Sequence, residues 1–297
     1  FLTPDGNFPN HMPNPEDETA MASLSAAVKS SNADLGLIFD TDVDRFAAVD
    51  SKGNEINRNE LIALAAALIA KDHPNTTVVT DSITSTQLTD FLVGNLNLKH
   101  LRFKRGYKNV INKSIELNNS GIDSQLAIET SGHAAYKENF FLDDGAYLAA
   151  KIVIKAATLK TQGKTIDSII KGLKSPDDAI EYRLSFINVA ENCIPNDFNV
   201  YSDMIIADLK AWAGGTKFYN PNFKELGAIL VEPNYEGIRI AFKNDKVDGW
   251  FLLRKSLHEP LMALNIEANA IGGCKIIAGY LKTLLEKYNK LDISTLK

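Results

Sequence analysis

Three aspartates lie on alternate residues directly after a short apolar segment. Asp40, Asp42 and Asp44 follow the run LGLIF at residues 35–39, and Arg45 comes next. Like charges this close repel one another, and partial burial raises the cost further unless a cation lies among them. Because Mg²⁺ takes oxygen ligands, the spacing favours a metal loop in which Arg45 faces an anionic ligand beside the ion. A solvated acidic turn is the simpler alternative.

Two other kinds of acidic loop share part of this pattern. A calcium EF-hand loop needs Gly at its sixth position and Glu at its twelfth. Counted from Asp40, those positions hold Arg45 and Ser51, which excludes an EF-hand. A phosphatase of the haloacid dehalogenase type carries Asp-x-Asp-x-Thr or Val after an apolar strand, and IFDTDV at residues 38–43 matches that pattern. The loop alone therefore leaves a metal loop and a phosphatase nucleophile open.

A second polar group follows the strand-like run LAI. Glu129, Ser131 and His133 surround Gly132, and Lys137 comes shortly afterwards. A carboxylate, a hydroxyl and an imidazole on one glycine-bent turn suit the recognition of vicinal sugar hydroxyls, because together they both accept and donate hydrogen bonds. An ordinary polar loop is the alternative.

A third polar group follows the apolar run GWFLL in the last quarter of the chain. Arg254 and Ser256 come first, His258 and Glu259 follow, and Pro260 starts the next element. Arginine offers a planar fork that binds phosphate through two hydrogen bonds, and serine adds a hydroxyl donor. The group is thus a candidate phosphate site, with a charged strand connection as the alternative.

Strand-like and helix-like segments alternate through the first part of the chain. Strands alternating with helices are typical of a layered α/β structure with a largely parallel sheet. We predict a three-layer α/β/α domain with a mixed, largely parallel sheet over residues 1–175, which carries the metal and sugar sites. Its elements are helices at 17–30, 60–70, 84–93 and 145–159, strands at 35–39, 76–80 and 126–129, and a β-hairpin that turns at Gly53.

The pattern changes near residue 175, beyond which strand-like runs follow one another with short turns. This is typical of an α+β domain, so residues 176–297 are predicted to form a phosphate-binding domain with a four-stranded antiparallel sheet and flanking helices. The segments are a strand in RLSFINV, a helix in YSDMIIADLKAWA, strand-like runs in AILVE, GIRIAF, GWFLLR and MALNIEA, and an amphipathic helix near the end.

Composition excludes several classes of protein. The 297 residues carry a net charge of −5 with both signs spread along the chain, which argues against nucleic-acid binding. The longest apolar run, residues 61–70, is too short to cross a bilayer. Cys193 and Cys274 are far apart in sequence, which fits a reducing cytoplasm. The first 16 residues are rich in proline and asparagine and resemble a connection from a preceding domain, so we expect a longer parent protein.

Taken together, the three groups resemble one family. The sequence is similar to the α-D-phosphohexomutases, in particular their phosphomannomutase/phosphoglucomutase branch, over essentially the whole chain and in the family's order. The metal loop of that family reads Asp-Gly-Asp-x-Asp-Arg, its sugar loop Glu-x-Ser-Gly-His and its phosphate loop Arg-x-Ser-x-x-x-Pro. The matching residues are Asp40, Asp42, Asp44 and Arg45, then Glu129, Ser131, Gly132 and His133, and finally Arg254, Ser256 and Pro260.

The chain departs from the family pattern at several positions. Thr41 replaces the usual glycine of the metal loop, and Leu257-His258 stand where many members have Gly-Thr or Asn-Thr. The segment KRGYKNVI resembles a loop that usually contains Gly-His, but here Tyr107 follows Gly106. If that histidine moves protons elsewhere in the family, His133 is the remaining candidate in this chain.

The resemblance implies a mutase that interconverts hexose 1-phosphate and hexose 6-phosphate through a bisphosphorylated sugar. It implies Mg²⁺ as cofactor, mannose or glucose phosphates as ligands, the enzyme's own N-terminal domains as partners, and a cytoplasmic monomer or homodimer. The phosphoserine belongs to a first domain, so this chain, read as the third and fourth domains, should be inactive alone. A non-catalytic sugar-phosphate-binding module remains the alternative. The implied catalytic residues are His133, Arg45 and Lys104, and the implied substrate contacts are Glu129, Ser131, Gly132, His133, Lys137, Tyr107, Lys108, Arg254, Ser256, His258 and Glu259.

Overall fold

A computed structural model describes residues 3–187, 196–213, 227–256 and 259–296. The chain divides into two compact units, Phe1–Lys174 and Ser175–Lys297. Two predictions lie outside the described residues: the site residue His258, and the last two positions of the strand expected in RLSFINV.

The first unit begins with a helix on a small antiparallel sheet. Helix α1 (Glu18–Ser31) is capped by the Asp17 carboxylate, which accepts a hydrogen bond from the backbone N–H of Ala20. Strands β1 (Leu35–Phe39), β2 (Phe46–Asp50) and β3 (Glu55–Ile56) pair in that order. Gly53 has a φ of +84° in the turn between β2 and β3, which confirms the predicted hairpin. The acidic loop is the connection from β1 to β2.

A second sheet of the first unit contains four strands in the order β5-β4-β6-β7. Strands β4, β5 and β6 are parallel and β7 is antiparallel to β6, as expected for a mixed, largely parallel sheet. The strands are β4 (Thr77–Thr80), β5 (Lys99–Arg102), β6 (Leu126–Ile128) and β7 (Ala134–Tyr136), and the helices are α2 (Arg58–Ile69), α3 (Thr86–Asp90), α4 (Tyr107–Asn119) and α5 (Gly145–Lys160).

Helices cover both faces of this sheet. Val78 of β4 belongs to the larger apolar core that includes residues of α2 and α5. Its neighbour Val79 points to the opposite face, where it packs with Val110 and Leu117 of α4. The predicted three-layer α/β/α arrangement is therefore confirmed. Because β4, β5 and β6 are parallel, the loops that follow them meet at one edge of the sheet, where ligands bind in such folds.

The second unit has a five-stranded antiparallel sheet rather than the predicted four-stranded one. Strand order is β8-β12-β11-β10-β9, and β8 pairs with β12 over eight residues. Strand β8 starts at Asp178, five residues before the strand predicted in RLSFINV, and its Ile180, Tyr182 and Leu184 alternate with polar residues. The strands are β8 (Asp178–Ser185), β9 (Ala228–Leu230), β10 (Ile238–Lys243), β11 (Asp248–Lys255) and β12 (Leu261–Ala268).

Two helices pack on one face of that sheet. Helix α6 (Asn196–Ala213) and helix α7 (Gly273–Leu285) share an apolar core with β10, β11 and β12. The Asp178 carboxylate accepts hydrogen bonds from the backbone N–H groups of Gly272 and Cys274 at the start of α7. The α+β class predicted for this part of the chain is confirmed.

No helix within the described residues combines the length and the apolar character needed to cross a membrane. Helix α6 spans 18 residues, but Asp203, Asp208 and Lys210 lie along it. A membrane-spanning helix needs about 20 predominantly apolar residues.

Candidate functional site

The acidic loop brings three carboxylates within reach of a single ion. One oxygen from each of Asp40, Asp42 and Asp44 lies within 4.8 Å of the others. Asp40 is buried, Asp44 is partly buried and Asp42 is exposed, so the group opens to solvent on the side of Asp42. The oxygen donors and their convergence fit a hard cation such as Mg²⁺.

Arg45 fixes the buried end of this group. Its Nε donates to Asp40 Oδ2 at 2.6 Å, its backbone N–H donates to Asp40 Oδ1 at 3.1 Å, and its Nη1 donates to Asn14 Oδ1 at 3.2 Å. Burial raises the pKa of Asp40, but these contacts with Arg45 outweigh it and hold that pKa below its ordinary value. Burial, together with the charges of Asp40 and Asp143, raises the pKa of Asp44 despite the opposing effect of His133. A bound cation would relieve this repulsion.

The sugar loop is joined directly to the acidic loop. The backbone N–H of Phe46 donates to Gly132 O at 3.3 Å, and Arg45 and His133 form an isolated antiparallel bridge. Gly132 has a φ of +97°, and a Cβ atom added there would lie 2.5 Å from the carbonyl oxygen of Phe46. Only glycine allows this approach, so the turn that carries Glu129 and His133 lies against the end of the acidic loop.

Glu129 is the buried acceptor of the sugar loop. Its side chain accepts a hydrogen bond from the Gly106 backbone N–H at 2.6 Å and one from Ser131 Oγ at 3.4 Å. Burial, with the nearby charge of Asp81, raises the pKa of Glu129 to about 7, even though Gly106, His133 and Arg105 favour the charged form. A carboxyl group in this position can accept hydrogen bonds from hydroxyl groups when ionised and donate one when protonated.

His133 lies between two carboxylates and an aromatic ring. Its Nδ1 is 2.8 Å from Asp143 Oδ2 and 3.7 Å from Asp44 Oδ2, and its ring stacks on Tyr107 with 4.9 Å between centroids. Burial lowers the pKa of His133, but the hydrogen bond to Asp143 and the charges of Asp143, Asp44 and Glu129 outweigh it and raise that pKa. The structure thus brings two predicted residues, Asp44 and Tyr107, to this imidazole.

Sequence reasoning missed Asp143 and Asp81. Asp143 stands directly before the Asp144-Gly145 pair at the start of α5, and no role was predicted for it. Asp81 follows β4 and is fully buried, and its two carboxylate oxygens accept hydrogen bonds from the backbone N–H and the Oγ1 of Thr130. Arg105 Nε lies 4.0 Å from Asp81 Oδ2. A single buried aspartate at the end of a strand carries no sequence signal that distinguishes it from a loop residue.

The loop after β5 supplies three further predicted residues. Lys104, Tyr107 and Lys108 are exposed, and Lys108 Nζ lies 5.7 Å from the centre of the Tyr107 ring. They share the sheet edge with the sugar loop because β5 and β6 both run parallel to β4. Tyr107 contacts the sugar loop by stacking on His133.

Lys137 is not brought into this group. Strand β7 runs back along β6, so the backbone N–H of Lys137 donates to Gln125 O at the start of β6. Its Nζ lies 3.5 Å from Asp123 Oδ1, at the end of the sheet opposite to the sugar loop. Three strand residues, roughly 10 Å, therefore separate Lys137 from the Glu129 turn.

The phosphate loop lies in the second unit, at the turn from β11 to β12. Arg254 is buried on β11, and Ser256 follows it on the same side of the strand. The Ser256 hydroxyl accepts a hydrogen bond from the Glu259 backbone N–H at 3.3 Å. The Glu259 carboxylate forms an ion pair with Arg183. The described part of this turn thus holds a buried arginine two residues before a serine, and both side chains can donate hydrogen bonds.

Comparison with known protein families gives two matches along the chain. The model for phosphoglucomutase/phosphomannomutase alpha/beta/alpha domain II matches residues 1–53, and the model for domain III of the same enzymes matches residues 57–175. The acidic loop falls in the first matched range and the sugar loop in the second, so residues 1–53 match domain II and not the third domain that was expected to carry them.

Individual relatives and solved structures agree with these matches. A phosphomannomutase/phosphoglucomutase of Pseudomonas syringae pv. tomato is 29% identical over 289 residues, which are 97% of this chain and 54% of the relative. The structure of a phosphoglucomutase/phosphomannomutase family protein from Burkholderia thailandensis is 25% identical, covers 95% of this chain and 53% of its own, and has a TM-score of 0.71. An N-acetylphosphoglucosamine mutase of Aspergillus fumigatus, determined with GlcNAc-6P and magnesium, shares the fold at 12% identity and a TM-score of 0.53, over 89% of this chain and 52% of its own.

The fold of this chain, an α/β unit followed by an α+β unit, is similar to that of the phosphoglucomutase/phosphomannomutase family protein from Burkholderia thailandensis. The chain belongs to the α-D-phosphohexomutase family, in its phosphoglucomutase/phosphomannomutase branch. It spans about half the length of the relatives that it matches.

Proposed function

We propose that this chain supplies the metal-binding, sugar-binding and distal phosphate-binding parts of a mutase that interconverts hexose 1-phosphate and hexose 6-phosphate. The reaction passes through a bisphosphorylated sugar, and the phosphoserine belongs to a part of the enzyme outside these 297 residues. The observation that carries the proposal is the direct junction of the acidic loop and the sugar loop through Phe46 and Gly132. That junction supports the proposal because it brings the carboxylates of the acidic loop close to the polar side chains of the sugar loop.

The metal site of the proposed enzyme is the acidic loop. Asp40, Asp42 and Asp44 would hold Mg²⁺, and when bound the ion would neutralise charge on the transferring phosphoryl group. Arg45 orients Asp40 and leaves part of its guanidinium accessible, with 28% of its side chain exposed. Phosphoryl transfer depends mainly on alignment and charge stabilisation, which are the roles that these residues can perform.

Recognition of the sugar is assigned to Glu129, Ser131 and His133. Their donors and acceptors lie on one turn, and Gly106 supports Glu129 from the neighbouring loop. Vicinal hydroxyls need this mixture of donors and acceptors, since each hydroxyl both donates and accepts. Lys104, Tyr107 and Lys108 at the same sheet edge are proposed as further contacts, whereas the position of Lys137 does not support a role for it.

Arg254 and Ser256 are proposed to bind the phosphate that is not being transferred. A charge-assisted fork from arginine holds phosphate more strongly than a neutral donor does. A distal clamp allows the sugar to bind in two orientations, so that each phosphate position can in turn face the phosphoserine. His258 is proposed as a further contact from the sequence resemblance alone.

A non-catalytic sugar-phosphate-binding module is the second candidate. The observation that favours it is Tyr107, which stands where the resembling loop carries a histidine and which stacks on His133. Both candidates require sugar-phosphate binding, but only the mutase requires a phosphoserine. An upstream sequence containing a Thr-Ala-Ser-His-Asn-Pro type motif would decide for the mutase.

Sugar-phosphate binding, which both candidates require, is tested by NMR and calorimetric titration with glucose 6-phosphate in the presence of Mg²⁺. We expect weak binding that shifts the resonances of Arg254 and Ser256. Arg254→Ala should weaken it by about tenfold to a hundredfold, because removing a charged hydrogen-bond partner costs about 1.5–3 kcal/mol.

Lys255→Ala is the matched control for Arg254→Ala. Lys255 is the next residue on β11, lies on the opposite side of the strand and pairs with Asp203 at 2.8 Å. The control removes the same charge without touching the proposed clamp, so its affinity should stay close to that of the unaltered chain. Equal losses in both variants would reject the assignment of the phosphate loop.

A further inference from the structure

His133 is held at one ring nitrogen by a carboxylate that the family motifs do not include. The 2.8 Å between Nδ1 and Asp143 Oδ2 is a hydrogen-bond distance, whereas the 3.7 Å to Asp44 Oδ2 is not. An ionised carboxylate can only accept, so the Nδ1 of a neutral imidazole must carry the proton. The contact therefore selects one of the two tautomers.

Asp143 is itself fixed by the backbone around it. It forms an isolated antiparallel bridge with Ala135, two residues after His133. The next residue, Asp144, donates its backbone N–H to Ala134 O at 3.0 Å and caps α5 by accepting from the Tyr147 N–H at 2.8 Å. Because the backbone of Asp143 and that of the next residue are both anchored, the position of the carboxylate relative to the imidazole is set before any ligand binds.

Tyr107 fixes the plane of the ring. The two rings stack with centroids 4.9 Å apart and an angle of 20° between their planes, which is an offset-stacked geometry. Tyr107 is the first residue of α4, and the preceding Gly106 is tied through its backbone N–H to Glu129 Oε1. The aromatic side chain is thus placed by the same loop that supports the sugar-reading carboxyl group.

The other ring nitrogen of His133 is left available. Nε2 makes no hydrogen bond to any side chain or backbone group in the described ranges, and 15% of the side chain is exposed. The two nitrogens of an imidazole point in widely different directions, so Nε2 faces away from Asp143. With the proton on Nδ1, the Nε2 lone pair can accept a hydrogen bond from a hydroxyl group.

We propose that Asp143 and Tyr107 are positioning residues that hold His133 as its Nδ1–H tautomer and leave Nε2 as the acceptor for a sugar hydroxyl. The proposal rests on the proposed function for the identity of the ligand. It assigns to Tyr107 a role in orienting His133, in place of the role that a histidine at that position would have.

The test is the tautomer of His133 in the full chain with Mg²⁺, read from ¹⁵N spectra of histidine-labelled protein under conditions where the ring is neutral. His133→Gln identifies the signal. We expect the proton on Nδ1, and we expect Asp143→Leu to move a large part of the population to Nε2–H. Asp123→Leu, which removes a carboxylate at the far end of the sheet, should change nothing. A proton on Nε2 in the unaltered chain, or an unchanged tautomer in Asp143→Leu, would overturn the proposal.

The stacking is tested separately with two variants of Tyr107. Tyr107→Phe should preserve the ring-current shift of the His133 carbon-bound protons, and Tyr107→Leu should abolish it. Glucose 6-phosphate should then shift Nε2 more than Nδ1. If glucose 6-phosphate binds normally but the tautomer is wrong, only this inference fails. If the tautomer is right but no sugar phosphate binds, the proposed function fails instead.

Discussion

Asp42 is the most exposed of the three aspartates in the acidic loop, and its charge contributes least to the fold. Asp40 is held by Arg45 and Asp44 lies near His133, whereas Asp42 is the exposed residue of the three. We expect Asp42→Asn to weaken Mg²⁺ or Mn²⁺ binding by about tenfold or more while leaving the fold intact, because one of three charged ligands is lost. Titration calorimetry with both ions measures the change. Asp123→Asn serves as the control, and equal heats from Asp42→Asn and the unaltered chain would exclude the loop as the metal site.

Glu129 should make the free energy of unfolding fall as the pH rises, whereas a paired surface carboxylate makes it rise. Burial raises its pKa from the ordinary value of 4.5 to about 7, so between these values the folded chain keeps a proton that the unfolded chain has released. The free energy of unfolding should therefore fall as the pH rises through this range, by up to about 3 kcal/mol.

Glu129→Gln isolates this effect because it removes the titrating group and keeps an oxygen that accepts from the Gly106 N–H. Urea unfolding between about pH 5 and about pH 8 should show a smaller fall in Glu129→Gln than in the unaltered chain. Glu116→Gln changes an exposed carboxylate of α4 that pairs with Lys113, and it should keep the slope. The same slope in all three proteins would contradict the raised pKa.

At the scale of elements, the contact between the sugar loop and β2 depends on one glycine. Gly132→Ala would place a Cβ atom 2.5 Å from the backbone oxygen of Phe46, in a backbone with a φ of +97°. Because a backbone atom cannot move aside as a side chain can, the turn must shift and the hydrogen bond from Phe46 N–H to Gly132 O should break. We expect a loss of stability of about 3 kcal/mol or more, compared with about 1–3 kcal/mol for positive-φ strain alone.

Gly121→Ala supplies the matched comparison for that variant. Gly121 has a φ of +79°, and an added Cβ would meet no atom within 4 Å, so only the backbone strain applies there. Denaturant unfolding measures the loss of stability in both variants. The difference between the two losses is the cost of the close contact between the added Cβ and Phe46 O. A similar loss of stability in the two variants would mean that the turn at Gly132 can shift away from Phe46 without further destabilising the fold.

At the scale of the whole molecule, the two units have separate apolar cores, and each carries its own group of proposed functional residues. The first core lies around the mixed sheet and the second around the antiparallel sheet with α6 and α7. Phosphate recognition at Arg254 is thus built on a different unit from metal binding at Asp40. We propose that these units correspond to the predicted division near residue 175.

The proposed reaction also predicts what this chain cannot do by itself. Its 297 residues contain no Ser-His-Asn-Pro sequence, so it lacks the nucleophile that the family resemblance assigns to a first domain. We expect no conversion of glucose 1-phosphate or mannose 1-phosphate in a coupled assay that detects a full-length relative. Turnover of roughly 1 s⁻¹ or faster, the ordinary range for enzymes, would show that another group replaces the phosphoserine.

The sequence by itself determined the kinds of elements and the three polar loops. These features depend on a few neighbouring residues, so they can be predicted without knowledge of the fold. Examples are the apolar runs, the Gly53 turn and the acidic loop. The start of edge strand β8 was predicted too late, in RLSFINV, although Ile180, Tyr182 and Leu184 already alternate with polar residues. Its register along β12 is set by partners about 80 residues away.

Only the tertiary structure decided which side chains share the site. Asp81 reaches Thr130 across 49 residues, and Asp143 reaches His133 because the chain that follows β7 returns antiparallel to β7, at the bridge between Ala135 and Asp143. The reversal of β7 beside β6 carries Lys137 to the opposite end of the sheet, although it stands only four positions from His133 in the sequence. The order and direction of the strands determine these distances. Order and direction depend on how both faces of the sheet are buried at once, and a local sequence pattern does not contain that information.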